Sequence, residues 1–429
     1  MRRIQPILAI ASAAAAALVL LPAATAGTQV VRHVSAARPG PDTRSGSAGL
    51  GSAGATRRAR TARMGDAVTY QIDPRHDGDQ AVGRLSTRSL KRRWKVTLGK
   101  VGSDGTEAGD VSYPVIADNR VFVTVESPQA SGTRLYALSA RTGAVEWSAN
   151  LGSLFAFSAL AYDKGRIFAV NDLNRLFAFA AGTGHRFWSV RLPGQLYSSS
   201  PPTAYDGVVY VSGEENAGTL YAVSEATGAV KWKATVENGD NSSPAVDDSG
   251  VYVSYACQQD YRFSLSGHLV WHHATGCEGG GGSTAVIANH SLYARGDEPP
   301  PVILSKSSGA QTGTFTSETA PAFDSAAMFT LQAGRLVAGP RSGGPQKWAF
   351  GHGTLVTAPV VSGSVVFEGS SDGTVYGVSA STGAQVWSGK AGSRIVGVDE
   401  NNAVVLVGMA VGDRLLVVPA GTALTAFGG

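Results

Sequence analysis

Two cysteines, a short histidine cluster and three polar loops are the parts of this 429-residue chain whose residue types and spacing could do chemistry. Cys257 and Cys277 could form a structural disulfide or serve metal or redox work. His268, His272 and His273 invite a metal reading. Residues four apart on a strand are separated by about 13 Å, however, and adjacent ones point to opposite faces, so these three cannot share one ion without outside ligands. His290 is a further candidate with no assignable partner. Gly369-Ser370-Ser371-Asp372-Gly373 matches the G-x-S-x-G pattern of serine hydrolases but lies between two strand patterns rather than at a strand-to-helix elbow, so it reads as a hairpin turn. Gly276-Cys277-Glu278, followed by Gly279 to Gly282, would let a ligand approach the backbone, but it lacks the Lys-Ser/Thr and the helix of a phosphate loop. Arg295-Gly296-Asp297 matches an adhesion tripeptide, and Pro299 to Pro301 mark the loop as stiff and exposed.

The elements that must position these residues follow from a repeat. Six of the seven tryptophans, at 147, 188, 232, 271, 348 and 387, stand four residues after a glycine, at 143, 184, 228, 267, 344 and 383. Short apolar runs such as Leu135-Tyr136-Ala137-Leu138 and Leu220-Tyr221-Ala222-Val223 precede the glycines. Each run reads as a strand, the glycine as a tight turn, and the Trp as part of the next strand. Two earlier strands per unit, as at Ser243 to Val246 and Val251 to Val253, make four antiparallel strands in about 40 residues, the signature of a propeller blade.

The motif Ala-x-x-x-x-Thr-Gly-x-x-x-Trp at Ala137 to Trp147, Ala178 to Trp188 and Ala222 to Trp232, with Gly377 in place of the Ala before Trp387, resembles the PQQ-repeat (quinoprotein-like) β-propeller family over roughly residues 84–429. The resemblance implies an all-β fold in which the outer-strand Trp packs between blades. The family's usual Asp two residues after the Ala is replaced by Ser139, Ala180, Ser224 and Ser379. Seven units end near residues 147, 188, 232, 271, 315, 348 and 387, and the chain ends in a unit without a Trp strand. Arg93-Trp94-Lys95-Val96 supplies that strand, so eight blades are expected, the ring closed by an N-terminal strand. Seven blades are the alternative, because the Trp slot of the fifth unit falls on Gly313, which predicts the weakest blade.

Arg2 and Arg3, an apolar run at 7–21 and the small residues Ala24-Thr25-Ala26 read as a secretory signal cleaved near Ala26, with an uncleaved membrane anchor as the alternative. Residues 27–66 form an Ala/Gly/Ser/Arg-rich linker, expected to be disordered, and 67–429 the propeller. Residues 1–66 hold nine of the 36 Lys and Arg and two of the 32 Asp and Glu, leaving 27 basic against 30 acidic residues beyond. A slightly acidic fold argues against nucleic-acid binding. Export also favours a disulfide between Cys257 and Cys277.

In the family that this repeat resembles, PQQ and a calcium ion occupy the channel, held by carboxylate and amide ligands, a stacking Trp and a disulfide of adjacent cysteines. All seven tryptophans here belong to the blade motif and the adjacent cysteine pair is missing, so no cofactor and no metal site is expected. The leading expectation is a non-catalytic, monomeric, exported propeller without a transmembrane span, binding a protein or cell-envelope component. The alternatives are an oxidoreductase using PQQ with calcium and a carbohydrate or cell-wall binder. Second-to-third strand loops share one face with the connections between blades. On that face the least repetitive loops carry Gln258, Asp260, Glu278, Arg295, Asp297 and Glu298 as expected contacts, with Glu214 and Glu215 of blade three facing the same way.

Overall fold

Apolar side chains fill the inner strands of each repeat, whereas the outer strands alternate. In the third unit Val208–Gly213 is buried at every position and Val230–Thr235 alternates between half-buried and exposed. A strand buried on both faces must lie inside a stack of sheets, and an alternating one at its rim. The computed structural model describes residues 65–429 apart from 102–106, 126–131, 153–159, 196–199, 214–217, 240–241, 277–281, 297–299 and 401–404. Its sheets are eight four-stranded antiparallel blades, the seventh extended by a short parallel strand, and a two-stranded antiparallel ribbon of Lys100–Val101 and Glu107–Ala108. From inner to outer strand, blade 1 runs from Val115–Ala117 to Val145–Asn150, blade 2 from Leu160–Asp163 to Arg186–Arg191, and blade 3 from Thr203–Tyr205 to Val230–Thr235. Blade 4 runs from Ala245–Asp247 to Leu269–His273, blade 5 from Val286–Ala288 to Gln311–Thr314, blade 6 from Ala322–Phe323 to Trp348–Phe350, and blade 7 from Val360–Ser362 to Gln385–Lys390. Blade 8 takes three strands from residues 410–428 and its outer strand, Lys91–Thr97, from the N-terminal side, in antiparallel register with Ala423–Gly428. The irregular fifth unit is a complete blade, so the ring has eight blades and not seven.

The register explains the repeat's Ala. Phe122, Ala137 and Trp147 lie opposite one another on three successive strands, as do Phe168, Ala178 and Trp188, and Tyr210, Ala222 and Trp232. The small central residue lets the flanking rings meet above it, with centroids 5.9, 6.1 and 5.9 Å apart. In blade 4 Arg262 occupies the central place and lays its guanidinium over Tyr252 at 5.7 Å.

Each Trp then joins its blade to the next. The indole Nε1–H groups of Trp94, Trp147, Trp188, Trp232, Trp271, Trp348 and Trp387 donate to the carbonyls of Ala140, Ala181, Glu225, Leu265, Lys306, Ala380 and Leu90 at 2.8–3.1 Å. Six of these rings lie flat on the turn glycine of the following blade: Gly143 on Trp94, Gly184 on Trp147, Gly228 on Trp188, Gly267 on Trp232, Gly309 on Trp271 and Gly383 on Trp348. A Cβ at Gly143 would come within 2.7 Å of Trp94, and its φ of 72° independently favours glycine. Between blades 5 and 6, where Gly313 replaces Trp, Tyr293 instead donates its hydroxyl to the Arg341 carbonyl at 2.6 Å and packs on Phe323 at 4.6 Å.

Residues 65–80 form a strap that makes a full circuit of the inner strands. The Gly65 carbonyl accepts from Asp413, Ala67 exchanges two bonds with Ile116, and Val68 accepts from Tyr162. Thr69 donates to the Pro202 carbonyl beside blade 3. The carbonyls of Pro74, Arg75, Asp77 and Gly78 accept from Val246, Ile287, Phe323 and Val361, one per blade from 4 to 7, and the Gln80 amide returns to Val411 of blade 8. Gly78 has a φ of 66°, and a Cβ there would meet that of Ala322 at 2.7 Å, so only glycine lets the strap approach so closely. Gly65 and Asp66, placed in the linker by composition, are thus part of the ring: the Gln80 amide also donates to the Asp66 carbonyl at 2.9 Å.

Trp94 is only 8% exposed and joins blade 8 to blade 1. Trp94→Ala should therefore lower unfolding stability by roughly 3 to 5 kcal/mol in denaturant titrations; an unchanged transition would remove its role in ring closure.

Candidate binding face and channel

Inside the strap, the channel is crossed by a buried ion pair. Arg295, just beyond the second strand of blade 5, directs Nη2 to both carboxylate oxygens of Glu400 at 2.9 Å, and both side chains are about 5% exposed or less. Glu400 lies in the connection from blade 7 to blade 8. It also accepts from the Tyr70 hydroxyl of the strap at 3.1 Å and from the Thr284 backbone N–H at 2.7 Å. These donors compensate a carboxylate that burial would otherwise penalise heavily. Burial, reinforced by Glu400, raises the Tyr70 phenol well above its usual range, so the phenol acts as a donor. Tyr113 lies 5.4 Å from the Tyr70 ring and donates to the Leu160 carbonyl at 2.6 Å. His76, fully buried, places its ring nitrogens 2.8 Å from the Tyr70 carbonyl and 3.1 Å from that of Pro244; burial lowers its pKa.

Three of the six expected contact residues lie in described regions, and all three are interior, which corrects the reading of them as exposed contacts. Gln258, in the turn after the second strand of blade 4, is fully buried and donates to the Pro300 carbonyl at 2.8 Å, bracing one loop against the next. Asp260, on the third strand, is also fully buried, and neither carboxyl oxygen makes a well-formed hydrogen bond. Burial pushes its pKa up to about 7, opposed in part by Ser254 across the strand pair. Arg295 is held by Glu400, so the Arg-Gly-Asp tripeptide does not present its arginine. Their burial reflects contacts between blades that a linear motif does not display. Glu278, Asp297 and Glu298 lie outside the described residues, as do Cys277, Glu214 and Glu215. Cys257 is in the same turn as Gln258, and no free cysteine occurs among the described residues. Glu400 and Tyr70 were not singled out from the sequence; the available signal was an acidic residue in the long connection before the last blade.

The remaining candidate motifs are dispersed. His272 stacks on Tyr261 with centroids 4.0 Å apart and meets Gln259 at 2.7 Å, whereas His268 meets Ser266 at 3.0 Å. Ser370 sits in the turn between Val365–Gly369 and Thr374–Ser379 and donates to Thr354 at 3.0 Å. First-to-second strand turns of blades 2 to 4 and the strap enclose a cavity of about 440 Å³ rimmed by aspartates. Several of these are paired locally: Asp163 with Lys164, Asp247 with Lys306, and Asp73 with Arg75.

PQQ with calcium would need a channel that offers a stacking Trp and uncommitted carboxylates. Here every Trp is bonded to a neighbouring carbonyl between blades, Glu400 is surrounded by donors from Arg295, Tyr70 and Thr284, and strap side chains enter the channel. These residues do not fit that group. Among the described residues, no helix is long and apolar enough to cross a membrane.

Ring, strap and blade signature define an eight-bladed β-propeller of the PQQ-repeat class. The chain belongs to the family described as outer membrane protein assembly factor BamB, whose model matches residues 78–211, 194–298 and 302–428. It is 30% identical over 152 residues to the outer membrane protein assembly factor BamB of Moranella endobia (strain PCIT), a match covering 34% of this chain and 37% of that protein. The crystal structure of BamB from Moraxella catarrhalis superposes with a TM-score of 0.59 at 18% identity, covering 79% of this chain and 98% of that one. Quinohemoprotein alcohol dehydrogenase from Comamonas testosteroni superposes with a TM-score of 0.69 at 13% identity, covering 86% and 81%. Identities this low speak for the fold alone.

The buried Asp260 carboxyl makes a pH prediction. With its folded pKa raised to about 7, the protonated form is favoured in the native state. Its contribution is complete below the unfolded value of about 4 and is lost as pH rises through 7. Asp260→Asn, a neutral isostere, should raise stability at pH 8 by more than about 1 kcal/mol and flatten its fall between pH 4 and 7. Parallel unfolding curves for both proteins across that range would contradict this.

Proposed function

We propose that this protein is an exported, non-catalytic scaffold that binds a protein or cell-envelope component through the face carrying the second-to-third strand turns and the blade connections, around blades 3 to 5. The observation that carries the reading is the commitment of the channel: strap, Arg295, Glu400, Tyr70 and the tryptophans are spent on holding the ring. Recognition is then left to loops above a rigid base. Gln258 and Arg295 form part of that base, and a Cys257–Cys277 disulfide would pin it. Glu278, Asp297 and Glu298 are the proposed contacts. The signal segment is cleaved near Ala26, and the folded protein acts as a monomer outside the cytoplasm without a cofactor.

The relative's name, an outer membrane protein assembly factor, supports an envelope protein as the partner class. The competing oxidoreductase reading rests on likeness of fold to an alcohol dehydrogenase, which does not carry activity.

Photo-cross-linking residues placed at positions 278 and 298 in the native host should capture one common partner, and the same residues at 206 and 248, in first-to-second strand turns, should not. Joint replacement of Glu278, Asp297 and Glu298 by Ala should lower that partner's capture at least about tenfold while leaving the melting curve unchanged. Full retention of capture with an intact fold would overturn the assignment.

A further inference from the structure

A second concavity lies on the flank of the ring, between blades 6 and 7. The outer strand of blade 6, Trp348–Phe350, has three residues, whereas Gln385–Lys390 of blade 7 has six. The short strand is followed by residues 351–355, which cross from Gly334 of blade 6 to the 370–371 turn of blade 7, where Thr354 accepts from Ser371 and Leu355 bridges Ser370. Gly351 and Gly353 have φ values of 92° and 89°, and a Cβ on Gly334 would meet the Gly353 backbone at 2.5 Å, so the loop is drawn tightly against blade 6. What remains is a groove of about 740 Å³ lined by Phe350, Tyr376, Arg335, His352, Gln385 and the 351–355 turn.

Its chemistry is specific. Phe350 and Tyr376 meet at 5.3 Å and 67° and are only half-buried, leaving aromatic surface open. Arg335 anchors its guanidinium through Nε to the Gly351 carbonyl at 3.2 Å. Among the described residues, its two terminal nitrogens, the His352 ring, the Gln385 amide and the Tyr376 hydroxyl have no protein partner. The lining contains no aspartate or glutamate. Open aromatic surface suits the apolar face of a sugar ring, the amide and hydroxyl suit its hydroxyl groups, and a guanidinium fixed at one nitrogen presents two parallel donors to a carboxylate.

We propose that this groove binds a carboxylate-bearing saccharide, with Arg335 on the carboxylate, Tyr376 and Phe350 on a ring face, and Gln385 and His352 on hydroxyls. The site is independent of the face proposed for the macromolecular partner, which lies around blades 3 to 5.

The test is calorimetric titration of the full chain with a trimer of galacturonic acid and, separately, with its fully methyl-esterified trimer, which keeps the rings and removes the charge. Saturable binding of the acid, at least about tenfold tighter than the ester, is expected. Arg335→Gln, an exposed change, should abolish that preference while leaving the melting temperature and any ester binding unchanged, and Gln385→Ala should weaken the acid as well. No saturable binding of the acid, equal binding of acid and ester, or acid binding unaffected by Arg335→Gln would each overturn the proposal.

Discussion

A single blade is a sheet with two apolar faces and cannot bury either alone, so the structure depends on what holds one blade against the next. That contact is an indole lying on a turn glycine, with its N–H on a carbonyl of the same neighbour. In most blades the geometry draws on three features of the sequence at once: a Trp on the outer strand, a small residue opposite it (Arg262 in blade 4 excepted), and a glycine in the next blade's turn. A Cβ at the glycine would overlap the ring by roughly an ångström, so the contact is close. Because the seventh Trp comes from the strand before blade 1 and completes blade 8, the same contact closes the circle. Two interfaces differ: Trp387 of blade 7 bonds the Leu90 carbonyl and packs on Phe427 without a turn glycine, and between blades 5 and 6 Tyr293, Phe323 and Arg341 take the place of a Trp.

The strap imposes the second constraint. Hydrogen-bonding sites along the inner strands of a propeller face the channel and would otherwise need water or a ligand. Here residues 65–80 satisfy such sites in ring order, while Tyr70 and His76 extend toward the centre. The Arg295–Glu400 pair then ties the strap to two distant blades through the Tyr70 hydroxyl. Arg295, Glu400, Tyr70 and His76 are thereby engaged in holding strap and ring together.

Much of the architecture was legible because a repeat states its rule many times. The Gly-to-Trp spacing defined the blades, and the orphan Trp94 identified the closing strand. The site was less legible. Gln258, Asp260 and Arg295 stand out as departures from the repeat, but a departure can be a surface feature or an interior brace, and only the packing of blade 4 on blade 5 distinguishes them. The strap was unreadable for a different reason: residues 67–80 have no periodicity, because they meet successive blades in turn, largely through backbone groups that any side chain would allow. The side-chain requirements that exist, Gly78 pressed against Ala322 and the hydrogen bonds of Thr69, Tyr70, His76 and Gln80, follow no repeat spacing. Glu400 acquires its role from partners 105 and 330 residues away in the chain, a distance no local pattern spans.

The central claim is that the channel serves to hold the ring and not a cofactor. Titration of the full chain with PQQ in the presence of calcium, followed by calorimetry and by reduction of an acceptor dye, tests it directly. The account predicts no saturable heat and no dye reduction with alcohol substrates. Stoichiometric, saturable binding accompanied by dye reduction would contradict it.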